Sequence, residues 1–251
     1  GLNASWSSPS TDVSFYGATV SLITPFRPAD KATLQTAVDL WISNNATALT
    51  TYGEINKWDT SLITDMSSLF YDKSTFNSNI GNWNTSAVTS MENMFFSASE
   101  FNQDIGAWNT SAVTTMYGMF NNARVFNQPI NYNSVTGAWN TSAVTSMEMM
   151  FYNAFVFNQP IGAWNTSAVT NMSYMFYNAT AFNQDIGGWN SGAVTNMSYM
   201  FDGATAMHTT YSGIPDFGNT PTHDFFNIFQ PADKATLQTA VNLWIIDNPS
   251  A

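Results

Sequence analysis

Apolar positions in this chain recur with one long period. Tryptophans fall at Trp58, Trp83, Trp108, Trp139, Trp164 and Trp189, at spacings of 25, 25, 31, 25 and 25 residues. The one irregular spacing is a six-residue insertion within Asn131–Gly137. After Trp83, Trp108, Trp139 and Trp164 come Val at +5, Met at +8 and +11, Phe at +12 and +18, and Ile at +22, a pattern that the copies after Trp58 and Trp189 follow with substitutions. One such unit cannot bury its apolar face alone, so six copies predict stacked coils, a repeat solenoid with a continuous core. The positions Val88, Val113, Val144, Val169 and Val194 would form one ladder along the axis. Phe101, Phe126, Phe157 and Phe182 would form another. The β-branched segment through Val at +5 predicts a short parallel strand, and Met at +8 through Phe at +12 has helical spacing for a turn or two. Gly81, Gly106, Gly162 and Gly187 precede the Trp and suit a turn with positive φ. The Asn after each Phe (Asn77, Asn102, Asn127, Asn158 and Asn183) predicts an amide ladder from coil to coil.

The ends depart from this period. Residues 28–42 read as an amphipathic helix, with Leu34, Ala37, Val38, Trp41 and Ile42 on one face and Pro28 suited to its first turn. It is expected to cap the first coil. The same fifteen residues return at 231–245, differing only by Asn242 for Asp39, at an offset of 203. Leu237, Val241 and Trp244 repeat the apolar face of Leu34, Val38 and Trp41. Two readings stay open: one cap per end, or a second helix that begins a new copy of the whole module. The expected organisation is an arm at 1–24, the capping helix and a linker at 25–53, about six coils at 54–205, a connecting loop at 206–227 and the second helix module at 228–251. Val13, Phe15, Val20 and Leu22 give the arm β character, either packed on its own coils or added as a strand to a neighbouring subunit. The start at Gly1 predicts a chain processed or trimmed from a longer one.

Composition changes the picture by exclusion. The 251 residues contain no Cys, which leaves no disulfide framework and no thiolate metal site. Six Lys and Arg against seventeen acidic residues make a nucleic-acid partner implausible. No apolar run approaches the roughly 20 residues of a membrane span. Only 9% of residues are charged, so 29 Asn, with Ser and Thr, must keep the surface in water. Like charges repeated in every coil would face one another about 5 Å apart, which disfavours them.

Nine Asn-x-Ser/Thr sequons stand at Asn3, Asn45, Asn84, Asn109, Asn140, Asn165, Asn171, Asn178 and Asn196. All are candidates for N-glycosylation on a eukaryotic-type secretory route. Asn84, Asn109, Asn140 and Asn165 share one position in successive coils, where full occupancy would crowd the sugars. Those four serve either as glycan carriers or as a recurring Asn-Thr-Ser turn. Thr85, Thr110, Thr141 and Thr166 align, as do Thr89, Thr114, Thr145, Thr170 and Thr195, and an exposed Thr array of this kind could order water against ice.

The string Trp-Asn-Thr-Ser-Ala-Val-Thr-x-Met-x-x-Met-Phe, followed by Phe-Asn-Gln-x-Ile-Gly, resembles the BspA-like leucine-rich-repeat family of surface proteins over about residues 54–205. The resemblance implies a right-handed, leucine-rich-repeat-like solenoid, extracellular exposure and roles in adhesion or surface architecture, without catalysis. The lipid-attachment Cys of bacterial lipoprotein members is missing. His208 and His223 fit no zinc spacing, and nothing concentrates paired carboxylates as a glycosidase requires. The expectation is therefore no enzyme, no cofactor and no metal. It is a secreted, extracellular or cell-surface structural protein, glycosylated, joined head to tail with itself into a fibre or layer. The alternatives are an adhesion module that binds glycan or protein on one face and, third, an ice-binding Thr surface.

Overall fold

A computed structural model describes residues 13–15, 18–20, 24–214 and 217–227. Two three-residue strands, β1 (Val13–Phe15) and β2 (Ala18–Val20), pair antiparallel. Helices α1 (Lys31–Ser43) and α2 (Asn45–Tyr52) follow, then a 3-10 turn at Ile55–Lys57. The coils come next. Two short helices, α3 (Thr205–Tyr211) and α4 (His223–Asn227), close the described chain. The second copy of the capping helix at 231–245 lies outside the described residues.

The coils are not those of a leucine-rich-repeat solenoid. Among the described residues no strand and no helix falls between Trp58 and Ala204; the ladder between neighbouring coils is reduced to isolated single-residue bridges, parallel as in Ser90 with Thr115 and Ser146 with Asn171, and antiparallel in Asn109 with Ala138. The segment with helical spacing is instead a run of reversals. In one coil Met94, Phe96 and Ala98 donate their amides three residues back, to Met91, Asn93 and Phe95. The alternate amides point along the stack: Met91, Asn93, Phe95 and Ser97 donate to Thr115, Tyr117, Met119 and Asn121 of the next coil, at 2.8–3.2 Å. Neither an α-helix, whose amides all turn inward, nor an extended strand can do both.

Left-handed backbone makes this possible. Position +10 has φ of 51–57° at Ser68, Asn93, Gly118, Met149, Tyr174 and Tyr199. Position +14 repeats it at Asp72, Ser97, Asn122, Asn153, Asn178 and Gly203. Bulky residues such as Met149 and Tyr174 rarely adopt this region. The hydrogen bonds to both neighbouring coils hold them there.

The core consists of stacked identical side chains. Phe at +12 stacks coil on coil from Phe70 to Phe201, with centroids 5.3–5.8 Å apart. Phe at +18 stacks at 5.9–6.1 Å, and packs on its own coil's +12 ring at 3.9–4.1 Å. From Trp83 onward each indole N–H reaches the carbonyl of an Ile one coil back, as in Trp83 to Ile55 at 2.8 Å and Trp139 to Ile105 at 2.9 Å, while that of Trp58 reaches the Gly53 carbonyl. Two buried rows were not anticipated. Ala98, Ala123, Ala154, Ala179 and Ala204 are fully buried, and Thr60, Thr85, Thr110, Thr141 and Thr166 are at most 2% exposed.

The glycines before Trp are needed for a different reason from the expected one. None of Gly81, Gly106, Gly162 and Gly187 has positive φ. A Cβ on Gly81 would stand 2.5 Å from the Asp104 carbonyl of the next coil, and one on Gly106 would stand 2.9 Å from that of Pro129. The absent side chain sets how closely coils approach. Gly81→Ala should destabilise the chain by about 1–3 kcal/mol, the usual range for overpacking against backbone. Gly213→Ala, with nothing within 4 Å, should leave the denaturant midpoint unchanged.

Candidate functional site

An interior coil finds hydrogen-bond partners on both sides, whereas the first coil has carbonyls with no coil before them. Helix α1 covers that edge. Asp30 caps it, accepting from the Thr33 amide at 2.8 Å, so the helix begins at Lys31 and Pro28 lies just ahead of it, buried. Leu34, Ala37 and Val38 are fully buried against the first coil's core, and Trp41 packs edge-on to Trp58 at 6.0 Å. Polar contacts fix the register. Gln35 donates to the Leu69 carbonyl at 3.1 Å, Lys31 pairs with Asp65 at 3.0 Å and also meets Ser67, Asp39 pairs with Lys73 at 2.8 Å, and Trp41 donates to Ser78 at 2.9 Å. Gln35 thus supplies the donor that a preceding coil would have given.

The last coil has the opposite need, because its amides have no coil beyond. Segment 205–227 meets it: Phe201 donates to the Asn219 carbonyl at 3.0 Å and Tyr199 to the Thr220 hydroxyl at 2.8 Å. Phe225, Phe226 and Pro221 are buried there, Phe225 edge-on to Phe201 at 6.1 Å. Both histidines belong to this closure. His208 Nε2 lies 2.9 Å from the Phe201 carbonyl, and His223 Nδ1 lies 3.1 Å from Ser191 Oγ. Among the described residues no three His, Cys, Asp or Glu side chains stand together.

The sequons fall into different environments. In Asn84, Asn109, Asn140 and Asn165 the side-chain oxygen accepts the amide two residues on, at 3.0–3.1 Å, and the side-chain nitrogen makes no hydrogen bond. Asn171 differs, donating to Glu148 at 2.7 Å. Asn178 also differs, donating to Asn153 at 3.0 Å within an amide ladder that continues to Asn122. Asn45 and Asn196 are exposed. Asn3, Leu237, Val241 and Trp244 lie outside the described residues. The expected ladder of Asn77, Asn102, Asn127 and Asn158 is present, each side-chain oxygen accepting the amide of its successor at 2.9–3.0 Å.

The two Thr rows separate. Thr85, Thr110, Thr141 and Thr166 are buried and donate to the Asn carbonyl of the next coil at 2.8–2.9 Å, so this row presents no hydroxyl to ice. Thr89, Thr114, Thr145, Thr170 and Thr195 are exposed, each donating back to the preceding coil's carbonyl. A further surface row was missed: Tyr152 stacks on Tyr177 at 4.6 Å, and Tyr174 on Tyr199 at 5.2 Å. Its signal is faint because Tyr stands at +13 only in Tyr71, Tyr152 and Tyr177 and at +10 only in Tyr174 and Tyr199.

Coils closed by different elements at each end define a capped repeat protein whose surface is polar and nearly uncharged. Residues 40–137 and 131–244 match the family described as "Mycoplasma protein of unknown function, DUF285", and the chain belongs to that family. The match supports a related repeat family of surface proteins. No curated protein and no solved structure matches the chain. No helix among the described residues is long and apolar enough to cross a membrane.

Two predictions follow from these contacts. Thr110→Val strands the Asn140 carbonyl in the core and should cost about 1–3 kcal/mol, whereas Thr114→Val, on the surface, should shift stability by less than about 0.5 kcal/mol. The second concerns acid. Hydrogen bonds from Ser61 and the charge of Arg27, 3.1 Å away, hold Asp59 below the ordinary carboxylate range. At Asp65 burial pushes upward most strongly, but hydrogen bonds from Ser67 and Lys31 together with the Lys31 charge outweigh it. Carboxylates with depressed folded values stabilise fully above the unfolded value of about 3.9 and lose that contribution as pH falls through the folded ones. The unfolding temperature should therefore be flat above about pH 5 and fall below about pH 4, with a shallower fall in Lys31→Met.

Proposed function

We propose that the chain is an extracellular structural repeat protein that assembles end to end into a fibre or surface layer. One observation carries this reading. Lys31, Leu34, Gln35, Val38 and Trp41 dock α1 on a first coil. The same residue types recur as Lys234, Leu237, Gln238, Val241 and Trp244. Meanwhile 205–227 already covers the last coil. A second docking face of the same specificity suits another first coil, either of a following module or of a second copy of the chain. Such a contact joins two unlike surfaces. Repeated without closing, it builds an open filament. The nine sequons and the low content of charged residues fit the same reading.

A second reading is adhesion, a partner glycan or protein bound on one face. The stacked tyrosines Tyr152, Tyr177, Tyr174 and Tyr199 favour it, since they give a coherent aromatic surface with polar edges.

Negative-stain microscopy of the full chain at rising concentration separates these. Filaments are expected, and Leu237→Ala with Trp244→Ala should abolish them while leaving the coils folded by circular dichroism. Monodisperse short particles from the unaltered chain at high concentration would overturn the assembly reading.

A further inference from the structure

The six coils share one Asx turn after Trp, formed by Asp59, Asn84, Asn109, Asn140, Asn165 and Asn190. The turn itself needs only an Asp or Asn oxygen, for Asn190 makes it with Gly192 at 2.9 Å and Asp59 makes it as a carboxylate. A sequon is thus not required for the turn, yet all four middle coils carry one. The two end coils have lost it by different changes, Asn to Asp at position 59 and Ser to Gly at position 192. Asp59 is paired with Arg27 at 3.1 Å, whereas Asn190 and Gly192 are exposed.

We infer that Asn84, Asn109, Asn140 and Asn165 form a row of N-glycan attachment sites, and that Asn171 and Asn178 are structural. This rests on the secretory part of the proposed function. In each row member the Asx turn uses the side-chain oxygen and leaves the nitrogen Nδ2 free. That nitrogen takes the anomeric carbon of a lipid-linked oligosaccharide; the lipid pyrophosphate leaves, and Nδ2 gives up one amide hydrogen. The turn hydrogen bond survives the modification. At Asn171 and Asn178 the same nitrogen is bonded to Glu148 and Asn153, between coils, where a sugar would separate them.

Trp139 and Trp164, just before Asn140 and Asn165, have ring centroids 6.0 Å apart. The insertion around Asn131–Gly137 leaves the coils in register, for Thr110 donates to the Asn140 carbonyl at 2.8 Å, as Thr85 does to that of Asn109 at 2.9 Å. Its Tyr132 lines with Ser142 and Ala163 a shallow cleft of about 250 Å³ that opens between Asn140 and Asn165. A half-exposed aromatic ring at that place offers the first sugar an apolar face.

Glycopeptide mass mapping of the full chain purified from its source tests this. Glycans at all four row residues, with bare Asn171 and Asn178, are the expected result. Glycans at Asn45 or Asn196 with a bare row would overturn the proposal and leave the secretory reading standing; bare sequons throughout would overturn both. A glycan at Asn171 or Asn178 in folded protein would refute the geometric selection. In Tyr132→Ala, enzymatic release of sugar from Asn140 and Asn165 should quicken roughly threefold, the size of one aromatic contact, with release at Asn84 unchanged. Equal rates at all sites would remove Tyr132 from the proposal.

Discussion

The amide that points along the stack is the constraint on which the rest depends. In each coil between Met at +8 and the residue at +14, alternate amides bond three residues back and the others bond forward to the next coil. Two left-handed residues per coil are the conformational cost of that arrangement. It forces each coil to repeat its neighbour atom for atom, because a displaced carbonyl would strand a buried amide. The aromatic columns follow. Rings at one register position lie nearly parallel, as with Phe70 and Phe95 at an interplanar angle of 1°. Each Phe therefore buries both faces against its own kind.

A structure held this way is complete in its middle and deficient at its ends. The first coil lacks donors and the last lacks acceptors, so the two caps have different chemistry. At the start a helix offers side-chain donors, Gln35 and Lys31. At the end a loop offers oxygens, the Asn219 carbonyl and the Thr220 hydroxyl. Charge follows the same division. The ion pairs among the described residues, Arg27–Asp59, Lys31–Asp65 and Lys73–Asp39, all lie at the start. There side chains do not stack on copies of themselves and opposite charges can meet. In the middle of the stack the polar rows are Asn and Thr, which hydrogen-bond to their own copies without repulsion. The sequon row belongs to this uncharged middle. Sugars attached there would hydrate a surface that few charges hydrate.

Much of this was legible in the period. The buried rows of Trp, Val, Met, Phe and Ile, the Asn ladder and the apolar face of α1 all follow from recurrence alone, since stacking places identical letters against each other. Ala at +15 and Thr at +2 recur just as regularly. The Ala row was passed over and the Thr row was read as an exposed array, because a small residue and a polar one do not announce burial. The backbone was misread. Met-x-x-Met-Phe carries helical spacing and Val-Thr carries β propensity, yet neither element forms.

The reason is that local preference and intercoil bonding compete, and the intercoil bonding wins. Nothing in a single copy reveals that Met149 or Tyr174 must take positive φ; that arises only when coils on both sides offer partners. The same holds for the glycines before Trp, whose missing Cβ matters because of a carbonyl about 25 residues along the chain. The sequons could be counted in the chain itself. Which amide nitrogens are free was settled by what the neighbouring coil places beside each one. Recurrence in the sequence thus sets which side chains meet, while the stack sets the backbone that brings them together, because half of its hydrogen bonds have their partners in another coil.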